Sequence, residues 1–141
     1  MYIDTDIAIG MIHGTLEIDD MQGKIGKDEK IAITAPSMME LYHGLYTMQY
    51  RKKDKVSNAK IQKEKASIEL IKRTIIQIPF NVDSADLSSK LFHELAGNGQ
   101  EIDINDCMIA ATIVSRGDGA LLTRNVDHFK RIPGLRLIQL S

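Results

Sequence analysis

Cysteine is almost absent from this 141-residue chain, with Cys107 standing alone. A single thiol excludes an internal disulfide and a thiolate zinc cage, and with them a secreted disulfide scaffold. No apolar run approaches the roughly 20 residues that a membrane helix needs. The start, Met1-Tyr2-Ile3-Asp4, lacks the basic and apolar stretches of a signal peptide. The expected location is the cytoplasm, with no membrane partner. Tryptophan is missing, and tyrosine and phenylalanine number 4 and 3, so base stacking has few points at which to act. His13, His43, His93 and His128 are scattered, with no pair at zinc-ligand spacing, and read as surface or packing residues. Repeats and low-complexity tracts are lacking too. What remains, 43% hydrophobic and 26% charged residues, suits one globular domain over residues 1–141.

The net charge of -1 hides a polarity. Between Arg51 and Arg73 nine Lys or Arg face three acids, Asp54, Glu64 and Glu69, a local +6 that leaves -7 on the other residues. Such a run is either a solvated helix face or a contact for a phosphate backbone. Lys52, Lys53, Lys55 and Lys60 are the candidates for the second role.

Apolar patterning predicts alternating strands and helices. Tyr2-Ile3 is a short buried strand that stops at Asp4, followed by a helix ending near Gly14. Lys30 to Thr34 is a second strand, and Ser37 to Tyr50 a helix with Met38, Leu41, Leu45 and Met48 on one face. The basic stretch should continue as helix, with Ile61, Ile68, Ile71 and Ile75 aligned, before a third strand over 75–78. Asp83 or Ser84 can cap a helix over 85–95. A buried alanine-rich helix runs from Asp106 to Ser115. Ala120 to Thr123 and Leu135 to Ile138 are strands four and five. This alternation predicts a parallel α/β sheet with helices on both faces, whose polar site lies at the carboxyl ends of the strands.

Polar residues, all but one of them acids, stand at those ends: Asp4 and Asp6 after the first strand, Glu40 after the second, Asp106 at a helix start, and the neutral Asn125 with Asp127 after the fourth strand. Singly, each has a simpler explanation. Ser37-x-x-Glu40 has capping-box spacing, and Asp103-x-x-Asp106 can cap likewise. Together they converge, because parallel strands share one carboxyl edge. Crowded carboxylates repel and raise one another's pKa. A hard dication such as Mg²⁺, which takes oxygen ligands and keeps waters, reverses that cost. Carboxylate-held Mg²⁺ beside a basic surface points to phosphodiester chemistry.

Four blocks in order resemble PIN-domain ribonucleases: residues 1–6 (MYIDTD), 33–44 (ITAPSMMELYHG), 104–111 (INDCMIAA) and 122–129 (LTRNVDHF), with the tail 132–137 (IPGLRL). The subgroup they most resemble is the single-domain VapC-type toxin of toxin–antitoxin pairs. The resemblance implies a PIN-like three-layer α/β/α sandwich around a mostly parallel sheet of four to five strands. It also implies a Mg²⁺- or Mn²⁺-dependent endoribonuclease acting on RNA, a homodimer, and a small antitoxin partner. By position, Asp4, Glu40 and Asp106 match the family's metal-binding acids. Asp4 and Asp106 would then hold the metal, and Glu40 would bind through water or act as base. Asp6 stands where the family commonly has Asn. The family's fourth acid falls at Asn125, with Asp127, and less so Asp103, as alternative sources of charge. Thr5 and Thr123 would orient the carboxylates.

Two other functions compete. Asp4-x-Asp6 also resembles the opening of haloacid-dehalogenase-type phosphatases, but Gly117-Asp118-Gly119 precedes the fourth strand and so carries its acid on the wrong edge. A catalytically weak or inactive PIN-like module that binds RNA or protein is the other alternative, favoured by the neutral Asn125.

Overall fold

A computed structural model describes residues 1–16, 23, 26, 28–117 and 119–140. Five strands, β1 (Tyr2–Ile3), β2 (Ala32–Thr34), β3 (Ile76–Ile78), β4 (Ala120–Thr123) and β5 (Arg136–Gln139), form one parallel sheet in the order β3-β2-β1-β4-β5. The register aligns Ile3 with Ile33 and Leu122, and Tyr2 with Ala32 and Leu121. Successive residues of a strand point to opposite faces. The first row therefore enters one core and the second row the other. The central strands are apolar at both parities because both faces are covered.

Helices α1 (Thr5–Ile12), α2 (Ala35–Arg51) and α3 (Asn58–Thr74) pack on the first face through Ile7, Leu41, Leu45, Ile61, Ile68 and Ile71. Helices α4 (Val82–Gly97) and α5 (Ile104–Val114) pack on the second through Leu91, Leu95, Cys107, Ile109 and Ile113. The short α6 (Val126–Phe129) follows β4 and buries Phe129 in that same core. The result is the three-layer α/β/α arrangement expected from the sequence, with all five strands parallel. Gly119 is required where it is. Its φ is +90°, and a Cβ there would stand 2.6 Å from the Tyr2 ring.

Several boundaries differ from the sequence-based expectation, each for a local reason. Helix α2 begins two residues before Ser37, because Thr34 is the cap and Pro36 fits a first turn that needs no N–H from it. The basic stretch is not one continuous helix. Lys52 ends α2, the N–H groups of Lys55 and Val56 both bond the Lys52 carbonyl, and Ser57 caps α3 by accepting the Lys60 N–H at 3.2 Å. Ser57 competes with the helical ladder for a backbone N–H and so starts a new helix. Neither Asp83 nor Ser84 caps α4. Asn81 does, accepting from both the Ser84 N–H and hydroxyl. Asp118 lies outside the described residues.

Candidate active site

In this strand order the chain leaves the sheet in opposite directions on either side of the β1–β4 junction. Such a switch point opens a crevice at the carboxyl edge. Asp4 follows β1 there, and Thr123 and Asn125 close β4. Glu40 descends from the second turn of α2, and Asp106 from the first turn of α5. Asp4, Thr5, Asp6, Glu40, Asp106, Ile109, Asn125 and Phe129 line a pocket of about 110 Å³.

Asp4 is 4% exposed and does two things at once. Its Oδ1 caps α1 by accepting the Ile7 N–H at 2.9 Å, and its Oδ2 accepts the Thr123 hydroxyl. Thr123 in turn accepts the Asn125 N–H at 2.8 Å. One buried hydroxyl thus ties the carboxylate of β1 to the backbone that carries Asn125. Across the pocket, the Thr5 hydroxyl donates to Glu40 Oε1 at 2.8 Å. Glu40 therefore does not reach back to Ser37, whose N–H is taken by Thr34. Asp103 caps α5 through the Asn105 N–H at 3.0 Å, leaving Asp106 to the pocket.

Burial raises the pKa of Asp4, Glu40 and Asp106. Asp6 and Asp106 push Asp4 further up, while the Thr123 and Ile7 donors pull it down. For Glu40, the Thr5 hydroxyl opposes burial, and the charges of Asp106, Asp103 and Asp6 reinforce it. For Asp106, His128 opposes burial, and Asp103 and Asp6 reinforce it. The group is thus short of positive charge. Beside it, the Cys107 thiol is pushed up to about 11, first by burial and then by Asp106 and Asp103. It remains protonated and inert at neutral pH.

Asp127 is not brought to the pocket. Its side chain is 86% exposed and pairs with Lys130 at 3.1 Å, since one residue further round α6 turns it to solvent. His128, which sequence reasoning set aside, is at the rim: its Nδ1 lies 2.9 Å from Asn125 Nδ2 and 3.4 Å from Asp106 Oδ2. The Asn125-x-x-His128 spacing, one helical turn, is the signal that could have found it. Lys52, Lys53 and Lys55 are exposed; Lys52 ends α2 about 18 Å from Glu40 along the axis, and the other two follow in the turn beyond. Lys60 lines a different cavity with Met11, Ile12 and Glu64.

Among the described residues, no three Asp, Glu, His or Cys side chains stand close enough to enclose an ion unaided. Each acid is turned toward a different partner: Asp4 toward the Thr123 hydroxyl, Glu40 toward the Thr5 hydroxyl, and Asp106 toward the His128 ring. The donor set is nonetheless all oxygen, partly buried and mutually repelling. It fits a hard dication held partly through water better than zinc.

The class that these observations define is a parallel α/β fold with carboxylates gathered in a pocket at its switch point. The particular family is settled by comparison: the PIN domain model matches residues 1–135, and the chain belongs to that family. Ribonuclease VapC1 of Rickettsia felis is 35% identical over 76 residues, 54% of this chain and 56% of that protein. Ribonuclease VapC of Rickettsia bellii is 32% identical over 71 residues, 50% of this chain and 52% of that protein. The chain thus aligns with about half the length of these curated relatives. Among solved structures, VapBC2 of Rickettsia felis bound to a promoter DNA fragment superposes with a TM-score of 0.80 at 23% identity, over 99% of this chain and 98% of that one. DNA-bound VapBC of Salmonella typhimurium gives 0.78 at 25% identity, over 98% and 96%.

Proposed function

We propose that residues 1–141 are a single PIN domain that hydrolyses RNA phosphodiester bonds as a Mg²⁺- or Mn²⁺-dependent endoribonuclease. The observation that carries this reading is the pocket of Asp4, Glu40, Asp106 and Asn125, in which burial and mutual repulsion hold three carboxyls above their usual range. Native proteins keep such unfavourable clusters where function needs them. When bound, the dication supplies Lewis acidity and a water of lowered pKa. Asp4 and Asp106 would hold it, and the Asn125 amide oxygen would take the neutral fourth position. Glu40, steadied by Thr5, has the raised pKa of a base able to take a proton from the attacking water. Ile109 and Phe129 are the apolar residues that line this pocket. Thr123 fixes the Asp4 carboxylate so that rotamer freedom is not lost on binding. Lys52, Lys53, Lys55 and Lys60 would draw in the polyanion.

Relatives named as ribonucleases and solved toxin–antitoxin complexes support the further reading that this is the toxin of such a pair. Its partner would be a small antitoxin, and its active form a cytoplasmic homodimer. No helix among the described residues is long and apolar enough to cross a membrane.

Thermal melting with Mn²⁺, run beside an RNA cleavage assay, tests the proposal. A ligand at about 100 times its Kd, bound only by the native state, adds about 2.7 kcal/mol. Wild type should therefore melt several degrees higher with metal and cleave RNA only in its presence. Cleavage that persists undiminished in EDTA would refute metal dependence. Absence of both melting shift and cleavage would favour an inactive binding module.

A further inference from the structure

Three of the four tyrosines share one stripe of α2. Tyr42, Tyr46 and Tyr50 follow at four-residue spacing. Their ring centroids stand 6.3 and 6.1 Å apart, with the first pair only 16° from parallel. Tyr42 packs partly into the core, whereas Tyr46 is 48% and Tyr50 71% exposed, and Met39, one turn before Tyr42, is 45% exposed. Contiguous large apolar groups on open surface mark an interaction site.

Charge selects the partner. From Leu41 to Lys53 there is no Asp or Glu, and the stripe runs into Arg51, Lys52, Lys53 and Lys55, all exposed. Aromatic rings beside a dense cationic segment suit a strand whose bases stack and whose backbone is anionic. Base–aromatic stacking is also tolerant of sequence, because every base has a π face. The same helix carries Glu40, from which Tyr46 and Tyr50 lie about 9 and 15 Å along the axis, within reach of one bound strand.

We propose that the Tyr46–Tyr50 face of α2 is a base-stacking platform for single-stranded RNA, with Arg51, Lys52, Lys53 and Lys55 holding its phosphates. This rests on the ribonuclease reading and extends it. Three of the chain's seven aromatics thus lie on one helix, beside its cationic end.

The full chain is titrated in EDTA, which prevents metal-dependent cleavage, with a fluorescein-labelled single-stranded oligoribonucleotide, and anisotropy is followed. Tyrosine emission, readable because the chain has no tryptophan, is recorded in parallel. Tyr46→Ala/Tyr50→Ala should weaken binding by about tenfold or more, and Tyr46→Phe/Tyr50→Phe should stay within about twofold. Lys52→Ala/Lys53→Ala should flatten the salt dependence, which the tyrosine variants leave intact. Tyr50→Ala alone, at the exposed last turn, serves if the double variant melts low. Unchanged RNA affinity in the alanine variants overturns the platform. If the same variants then turn a dimer into a monomer by light scattering, the face belongs to a second copy. Cleavage by wild type together with normal binding by the variants defeats the platform alone. A wild type that neither binds nor cleaves RNA defeats the ribonuclease reading as well.

Discussion

Replacing Thr123 by valine isolates the link between the two halves of the site. The two side chains have nearly the same shape, and Thr123 is fully buried, so packing is kept and only the hydroxyl is lost. Two bonds go with it: the donation to Asp4 Oδ2 and the acceptance of the Asn125 N–H. The first is made to a buried carboxylate and is worth roughly 1.5–3 kcal/mol; the second, at a half-buried backbone group, is worth about 1 kcal/mol. The expected loss is about 2.5–4 kcal/mol, or a fall in Tm of roughly 5–15 °C for a domain of this size.

The pH dependence has a definite sign. Burial holds the Asp4 carboxyl above its ordinary range, and the Thr123 hydroxyl is the strongest influence pulling it back. Without the hydroxyl that carboxyl rises further. A carboxyl raised in the folded state favours the fold when protonated, and that benefit is lost as pH rises through its folded pKa. The deficit of Thr123→Val should therefore be largest at neutral pH and shrink as the protein is acidified toward the ordinary carboxylate range. Thr123→Ser should recover most of the stability. Differential scanning calorimetry of the metal-free protein at pH about 7.5 and about 5 makes the comparison. A variant that melts with wild type at neutral pH, or a deficit that grows on acidification, would refute the reasoning.

Asp106→Asn removes one of the mutually repelling charges, so the metal-free variant should melt higher than wild type at neutral pH while RNA cleavage falls about a hundredfold or more; fluorimetry and a gel assay check the two halves. Asp4→Asn keeps a side-chain oxygen for the Ile7 N–H, whereas Asp4→Ala loses the cap, so urea melts should rank the alanine variant lower by about 1 kcal/mol. Asp127→Ala should leave cleavage within about twofold and stability within about 0.5 kcal/mol, because its side chain faces solvent and Lys130; a large loss of activity would return Asp127 to the site.

The alternation of strands and helices, the two-sided burial of the sheet and three of the pocket acids, Asp4, Glu40 and Asp106, were legible in the sequence, whereas Asp127 was not correctly placed. Each leaves a local trace: apolar residues at both parities for a buried parallel strand, and carboxylates just after strand ends. Tertiary structure decided what local pattern could not. Ser37-x-x-Glu40 has capping spacing, but only the approach of α1 gives Glu40 the Thr5 hydroxyl as its partner. Asp127 and His128 are neighbours in sequence, yet the direction of α6 sends the first to solvent and the second to Asp106. The tyrosines at four-residue spacing could all have been core; the tertiary structure packs Tyr42 partly inside and leaves Tyr46 and Tyr50 on the open side of α2. Sequence determines what each residue can do within a turn or strand of its own. The side chain 119 positions away that donates to Asp4 is chosen only when the sheet closes, because that contact belongs to the packing of distant segments.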